Sequence, residues 1–225
     1  MTIFIYGDSF TCQPLEWKHL NTKDHRWPYM LAKHLGHQEK NYGLGGSALE
    51  YSFTEIANTK NQWNYDDVLL FCETELVRRW FFNTLPHRCT FNNIHRDVSI
   101  HDRDKRWVQR WFTDFHNVDL SLLQLKAYYY MLNAWCVEKN IVCHVLRCFT
   151  RPTIEYEYSN ILFSLGDPLD IVCYREFKIM PDRQNDQRIG HFSIENHVII
   201  ASAVIKAIVD KKAINFNIPF KEKFL

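Results

Sequence analysis

Short, nearly uninterrupted apolar runs constrain the fold of this chain more than any other feature of its sequence. Three such runs, at residues 3–6, 67–72 and 141–146, are rich in β-branched and aromatic side chains. Strands that are apolar on both faces and alternate with helices are typical of a parallel sheet covered by helices on both sides. We therefore predict one domain over residues 1–225, a three-layer α/β/α sandwich with a flavodoxin-like parallel sheet.

The segments between these strands carry helical periodicity and helix end signals. Pro28 suits a first helical turn and Gly36 a helix end, which predicts a helix at 27–36. Leucine, tyrosine and cysteine recur along one side of 119–140, and apolar residues recur at helical spacing along 193–210. Further elements are predicted as a strand near 39–42, a helix at 48–57 and a last strand at 170–174.

Residues 78–118 interrupt the alternation of strands and helices. The segment is rich in tryptophan, phenylalanine, arginine and histidine, and it is longer than an ordinary connection. We predict a helical, aromatic insertion that forms a cap or an interface for a protein partner or for self-association.

Two patterns inside this insertion have simple interpretations. The spacing of its histidines and cysteine is irregular, so no metal site is expected; these residues are His87, Cys89, His95 and His101. Basic residues alternate with tryptophan near Trp107 and Trp111, a pattern that can bind single-stranded nucleic acid. Acidic residues dilute the charge there, so we instead expect a solvated helix with both tryptophans packed inward.

Charge and hydropathy exclude several classes of partner. Lys+Arg number 27 and Asp+Glu 26, so no global field favours nucleic acid or an anionic membrane. No apolar run approaches the ~20 residues that cross a bilayer. The start lacks the charged region of a signal peptide, and the seven cysteines form no CxxC pair. We expect a cytoplasmic protein with reduced thiols.

Candidate reactive residues follow the predicted strands. Ser9 comes directly after the first strand in a Gly-Asp-Ser turn, a glycine-rich turn at 43–47 follows the second, and His191 precedes the last helix. Ligands of open parallel sheets bind beyond the carboxyl ends of the strands. A serine in a tight turn and a histidine on a neighbouring loop are the minimum for nucleophilic acyl transfer, in which backbone N–H groups hold the oxyanion.

Together these segments resemble the SGNH (GDSL) hydrolase superfamily. Residues 7–9 resemble its first block, 41–47 its second and 190–193 its last, in the expected order. The resemblance implies that Ser9 is the nucleophile, that His191 is the general base, and that the amides of Ser9 and Gly46 form the oxyanion hole. It implies no cofactor and no metal.

The third block departs from the family pattern. It usually carries Gly-x-Asn-Asp, whose asparagine completes the oxyanion hole, but residues 71–75 contain no asparagine. The Thr74 hydroxyl is the candidate donor in its place. A threonine here, followed by Arg78 and Arg79, is similar to the pattern of phage-encoded members.

The last block departs from the pattern as well. Arg188 stands where the family has an aspartate three residues before the histidine. Asp186 is the candidate acid, and Asp182 is the other nearby carboxylate. The alternatives are a Ser–His dyad with a backbone carbonyl as partner, or loss of activity. His197, inside the last helix, is expected to be a packing residue.

Two functions follow from this interpretation. The first is a serine esterase that acts through an acyl-enzyme on an acyl or acetyl ester of a carbohydrate or small molecule. The alternative is a non-catalytic SGNH-fold binding or structural protein, such as a virion-associated or assembly component of a phage.

Overall fold

A computed structural model of the chain describes residues 1–11, 26–76, 78–79, 102–151, 157–176, 192 and 194–220. Its strands are β1 Thr2–Tyr6, β2 Gln38–Asn41, β3 Val68–Cys72, β4 Cys143–Leu146 and β5 Ile161–Phe163. Its helices are α1 Trp27–Leu35, α2 Leu49–Thr59, α3 Asp102–Asp114, α4 Val118–Lys139, α5 Leu169–Glu176 and α6 Ile194–Asp210.

The five strands form one parallel sheet in the order β2-β1-β3-β4-β5. This is the flavodoxin-like order, whose direction reverses between β1 and β3. The central strands β1, β3 and β4 are almost entirely buried, whereas β2 has the polar sequence Gln-Glu-Lys-Asn and forms an edge. The predicted parallel α/β architecture is confirmed.

Helices cover both faces of the sheet, so two separate cores result. Ile3 and Ile5 of β1 point to one face, where α1, α5 and α6 pack. Phe4 and Tyr6 of the same strand point to the other face, where α2 and α4 pack. This alternation along one buried strand confirms the three-layer arrangement.

The predicted helices at 27–36, 48–57, 119–140 and 193–210 are confirmed to within two residues at each end. Gly36 ends α1 in the left-handed conformation, with φ of 66°, as its sequence position predicts. Asn140 ends α4 in the same way, with φ of 53°.

The strand predicted at 170–174 is wrong, because this segment lies in α5. Leu169, Val172 and Cys173 are buried at the i, i+3, i+4 spacing of a helix. Pro168 precedes the helix, and its carbonyl oxygen accepts hydrogen bonds from residues 171 and 172. The last strand is instead β5, a run of only three residues that composition alone does not distinguish from a loop.

The predicted insertion at 78–118 is described at 78–79 and 102–118. Within it, α3 buries Val108 and Phe112, whereas Trp107 is half exposed. The expectation that Trp107 packs inward is therefore wrong: the buried stripe is shifted by one position along the helix. Trp111 does contact its surroundings, through the ring of Phe112 and the Arg79 guanidinium, 5.9 Å from its ring centroid. The candidate metal ligands His87, Cys89, His95 and His101 lie outside the described residues.

The helices in the described ranges include none with both the length and the apolar character of a membrane span.

Candidate functional site at the carboxyl ends of β1 and β3

The chain leaves β1 through Gly7, at the point where the strand order reverses. Gly7 has φ of 145°, and a Cβ atom there would lie 2.7 Å from both the Cβ and the carbonyl oxygen of Cys72. No side chain fits in that space, so glycine is required for the loop after β1 to pass against the end of β3. This close approach holds the next residues at the carboxyl ends of the central strands, where parallel sheets bind ligands.

Ser9 lies in a tight turn that its neighbours hold in place. The carbonyl oxygen of Asp8 accepts hydrogen bonds from the backbone N–H (3.0 Å) and the hydroxyl (2.8 Å) of Thr11. The carboxylate of Asp8 accepts one from the N–H of Phe10 at 3.1 Å. Ser9 is partly exposed, and none of the described residues hydrogen-bonds to its hydroxyl. The turn therefore leaves Ser9 partly open to solvent at the carboxyl ends of the strands.

The loop after β2 is joined to the Ser9 turn by hydrogen bonds. The carbonyl oxygen of Gly7 accepts from the N–H of Leu44 (3.0 Å) and from the hydroxyl of Ser47 (3.1 Å). The side-chain amide of Asn41 donates to the carbonyl oxygen of Thr11 at 2.8 Å. The segments that carry the first and second predicted blocks are thus one structural unit.

Gly46 belongs to this unit and has a conformation that favours glycine, with φ of 72°. In the described part of the chain, neither its N–H nor that of Ser9 donates to another backbone group. Two unpaired amides on adjoining loops are the kind of donors that an oxyanion requires.

Asp8 forms a buried ion pair beside Ser9. Its side chain is fully buried, and its carboxylate lies 2.7 Å from a guanidinium nitrogen of Arg78. Burial raises the pKa of Asp8, and the Arg78 cation opposes this rise. The same guanidinium donates to Glu75 at 3.0 Å and lies 5.0 Å from the ring centroid of Phe149. A cation is therefore held next to the Ser9 turn.

A second buried carboxylate, Glu73, lies just beyond the end of β3. Arg151 approaches its two oxygens with contacts of 2.8, 2.9 and 3.2 Å, and the hydroxyl of Tyr129 donates to it as well. Burial and the neighbouring Glu73 raise the pKa of Tyr129 well above its ordinary value. Both oxygens of the buried Glu73 carboxylate are thus hydrogen-bonded, as expected of a structural ion pair.

Thr74 follows Glu73 and is 5% exposed. Its hydroxyl has no hydrogen-bond partner among the residues that the structure describes. A buried polar group without a partner costs about 1–3 kcal/mol. Such a group, two residues after the end of β3, the strand next to β1, is a candidate to bind a ligand oxygen.

His191 and Asp186 lie outside the described residues, as do Asp182 and Arg188, so their predicted roles stay predictions. Phe192, directly after His191, is described and buried. Its ring packs against the ring of Phe10 with centroids 5.6 Å apart. The start of α6 is therefore beside the Ser9 turn.

His197 is a packing residue, as predicted. It is buried, its ring contacts Phe192 with centroids 5.7 Å apart, and its Nδ1 accepts a 3.4 Å hydrogen bond from the N–H of Trp27. These contacts account for this histidine without a reactive role.

Sequence reasoning missed the two ion pairs. Asp8 and Glu73 each come one or two residues after a buried strand, and a carboxylate in such surroundings needs a cationic partner. That signal predicts an arginine for each, but it does not say which arginine, because Arg78 and Arg151 are 70 and 78 positions away in the chain.

The described residues contain no group of three or more histidine, cysteine, aspartate or glutamate side chains arranged to hold a metal ion. Comparison of the chain with protein-family models gives no match, and comparison with curated protein sequences gives none either. The functional assignment therefore depends on the residues of the site itself.

Proposed function

We propose that this protein is a serine ester hydrolase of the SGNH type, with Ser9 as its nucleophile. The observation that carries the proposal is the joined pair of loops at the strand-order reversal. One loop carries the partly exposed Ser9 and the loop bonded to it carries Gly46, which supports an oxyanion hole formed by the amides of these two residues. This combination of nucleophile and oxyanion donors is what acyl transfer needs.

His191 is the proposed general base. Phe192 follows it directly, and the contact between Phe192 and Phe10 supports a base near Ser9, because consecutive Cα atoms lie only about 3.8 Å apart. Asp186 is the proposed acid that orients the imidazole. A dyad of Ser9 and His191 is the alternative, because Arg188 occupies the usual position of the acid.

The reaction proceeds in two balanced halves. The Ser9 oxygen attacks the ester carbonyl carbon while its proton passes to His191, and the carbonyl oxygen takes the electron pair. The amides of Ser9 and Gly46 hold that oxyanion, with the Thr74 hydroxyl as a third donor. Collapse expels the alcohol, which takes the proton from His191 and leaves the acyl group on Ser9. Water then attacks the acyl carbonyl carbon in the same way, with His191 as the base. The carboxylic acid leaves, and the Ser9 hydroxyl is restored.

The proposed substrate is an acyl or acetyl ester of a carbohydrate or small molecule, without a cofactor. The ester class follows from the resemblance of the three blocks, and the identity of the alcohol depends on loops that differ among proteins of one fold.

Labelling with a fluorophosphonate tests the nucleophile. We expect covalent modification at Ser9, located by peptide mass spectrometry, and turnover of p-nitrophenyl acetate. Ser9→Ala should abolish both. Ser202→Ala is the matched control, since Ser202 is an exposed serine on α6 whose hydroxyl donates to the carbonyl oxygen of Val198. Equal rates for the wild type and Ser9→Ala would refute the proposal.

Substitution at Asp186 separates a triad from a dyad. If Ser9→Ala abolishes turnover while Asp186→Asn leaves it intact, the acid is not needed and a dyad remains. A large loss with Asp186→Asn supports the triad.

The absence of an asparagine in 71–75 favours a second candidate, a non-catalytic binding or assembly protein of the same fold. Its partner surface would be the insertion at 78–118, where the described part exposes Trp107 and Phe115. An unlabelled Ser9 together with no ester turnover is the result that this candidate predicts.

A further inference from the structure

The outward face of α4 is apolar along most of its length. Its exposed members between residues 120 and 137 include Leu120, Leu123, Ala127, Tyr130, Ala134 and Val137. The opposite side of the same helix supplies the core residues Leu125, Tyr129 and Leu132. A surface helix ordinarily carries polar residues on the side away from the core. This second apolar face, which we call the α4 stripe, therefore indicates an interface.

The α4 stripe has the spacing of a coiled-coil seam. Its successive members are separated by 3, 4, 3, 4 and 3 residues, which is the alternation of the a and d positions of a heptad repeat. The pattern runs for about five helical turns. Such a seam fits another helix, because its side chains enter the spaces between those of the facing helix.

The sizes of the side chains indicate that the facing helix is α4 of a second copy and that the two helices run antiparallel. Place two copies of α4 antiparallel, with a two-fold axis midway between Ala127 and Tyr130. Leu123 then faces Ala134 of the partner subunit, and Tyr130 faces Ala127 of the partner subunit. At the four central positions each large side chain thus meets a small one, and at the two ends Leu120 faces Val137 of the partner subunit. A parallel pair would instead set tyrosine against tyrosine and alanine against alanine. An interface between identical subunits has to be self-complementary in this way.

We propose that the chain forms a two-fold symmetric dimer through antiparallel packing of α4 against α4 of a second copy. The four largest members of the α4 stripe are 51–62% exposed, and Met131 flanks them. Burial of these five side chains together with Ala127 and Ala134 removes roughly 500 Å² per copy and about 1,000 Å² in total, which meets the lower limit for a specific interface. The dimer does not depend on the proposed hydrolytic function.

Sedimentation equilibrium on the full chain tests the proposal. We expect reversible dimers in a dilution series down from about 100 µM. Leu123→Glu should weaken the dimer at least about a hundredfold, because it places a carboxylate in the seam of each copy. Ala134→Glu should do the same at a second position of the seam. Val209→Glu is the matched control, since Val209 is an equally exposed apolar residue on α6, and it should leave the dimer intact.

Cysteine crosslinking tests the direction of packing. The double variant Leu123→Cys, Ala134→Cys should form an intermolecular disulfide under mild oxidation, above the background of the wild type. Leu120→Cys alone should not, because in an antiparallel pair the two copies of residue 120 lie at opposite ends of the interface.

Three results would overturn the proposal. One is a monomer at every concentration. Another is a dimer that both glutamate variants leave intact while circular dichroism shows them folded. The third is efficient crosslinking through Leu120→Cys, which indicates parallel helices.

Discussion

Two buried carboxylates at the ends of neighbouring strands, Asp8 after β1 and Glu73 after β3, carry the same chemistry in different surroundings. Each pairs with an arginine that is distant in the chain. Arg151 approaches Glu73 through three contacts within 3.2 Å, and Tyr129 adds a further hydrogen bond to the same carboxylate. Arg78 divides its contacts between Asp8 and Glu75 and also packs over an aromatic ring.

The difference in pairing indicates a difference in role. In the Glu73 cluster the carboxylate is buried, and both of its oxygens accept hydrogen bonds from within the protein. The Asp8 pair adjoins the turn that presents Ser9, and its arginine reaches a half-exposed carboxylate at the surface. We infer that the first pair stabilises the fold and that the second positions the reactive turn.

Arg151→Met should lower the free energy of unfolding by about 3–5 kcal/mol, because it leaves Glu73 as a buried charge without a cation. Urea denaturation at neutral pH measures this loss. Arg78→Met is the comparison: it should cost less, since Asp8 keeps its hydrogen bond from the N–H of Phe10, and burial, which raises the pKa of Asp8, favours a neutral carboxyl once the cation is gone.

A double variant tests whether the lost stability comes from the unpaired charge of Glu73. Glu73→Met combined with Arg151→Met removes both charges, so it should recover much of the stability that Arg151→Met loses. A loss with Arg151→Met no larger than that of Arg78→Met would contradict the assignment of the Glu73 cluster to the stability of the fold.

His144 extends the comparison to a buried titratable group without an ion-pair partner in the described part of the chain. It lies on β4 between Leu70 and Leu162 in the sheet register, and its Nδ1 has no hydrogen-bond partner among the residues described. Burial lowers its pKa from 6.5 to about 4. The unfolded chain therefore binds a proton at higher pH than the folded one. Stability from this residue is complete above pH 6.5 and is lost as the pH falls towards 4, by about 3 kcal/mol.

The wild type and His144→Leu should accordingly diverge in acid. Leucine fits between its two leucine neighbours and does not titrate, so the variant should lack this part of the acid destabilisation. Urea unfolding at a series of pH values between 7 and 4 gives the difference between the two proteins. A difference that does not change with pH would mean that the pKa of His144 is the same in the folded and unfolded chains, as for a solvated imidazole.

The centre of the sheet and most helices were predictable because β1, β3 and β4 are nearly continuous apolar runs and helices such as α1 and α4 have clear end signals. The helix α5 was not predictable, because a short apolar segment such as 171–173 fits a strand or a helix equally well. The helical state of this segment depends on its packing against the sheet. Trp107 shows a similar limit: bulk and apolarity do not decide which of two adjacent helical stripes faces the core.

The site was predictable only where its chemistry is local in the chain. The Gly7 turn and the Gly46 loop have recognisable sequences, and their contact follows from the parallel order of β1 and β2. The partners of Asp8 and Glu73 come from distant segments, and one sequence does not show which arginine meets which carboxylate.

The smallest expected effect on stability, at Thr74, distinguishes a structural loop from a reactive one. Its buried hydroxyl has no partner in the described structure, so Thr74→Val should leave the free energy of unfolding unchanged or raise it by about 1 kcal/mol. If the hydroxyl binds the oxyanion, the same change should lower kcat for ester hydrolysis by about a hundredfold or more. Thr74→Ser keeps the hydroxyl and should retain most of the rate, which separates the loss of a donor from a change in packing.

A Thr74→Val protein with wild-type kcat would show that Thr74 is not part of the oxyanion hole. A Thr74→Val protein that is less stable than the wild type by about 2 kcal/mol or more would show that the Thr74 hydroxyl is hydrogen-bonded within the fold. Thr74 would then have a structural role, like the ion pair of Glu73.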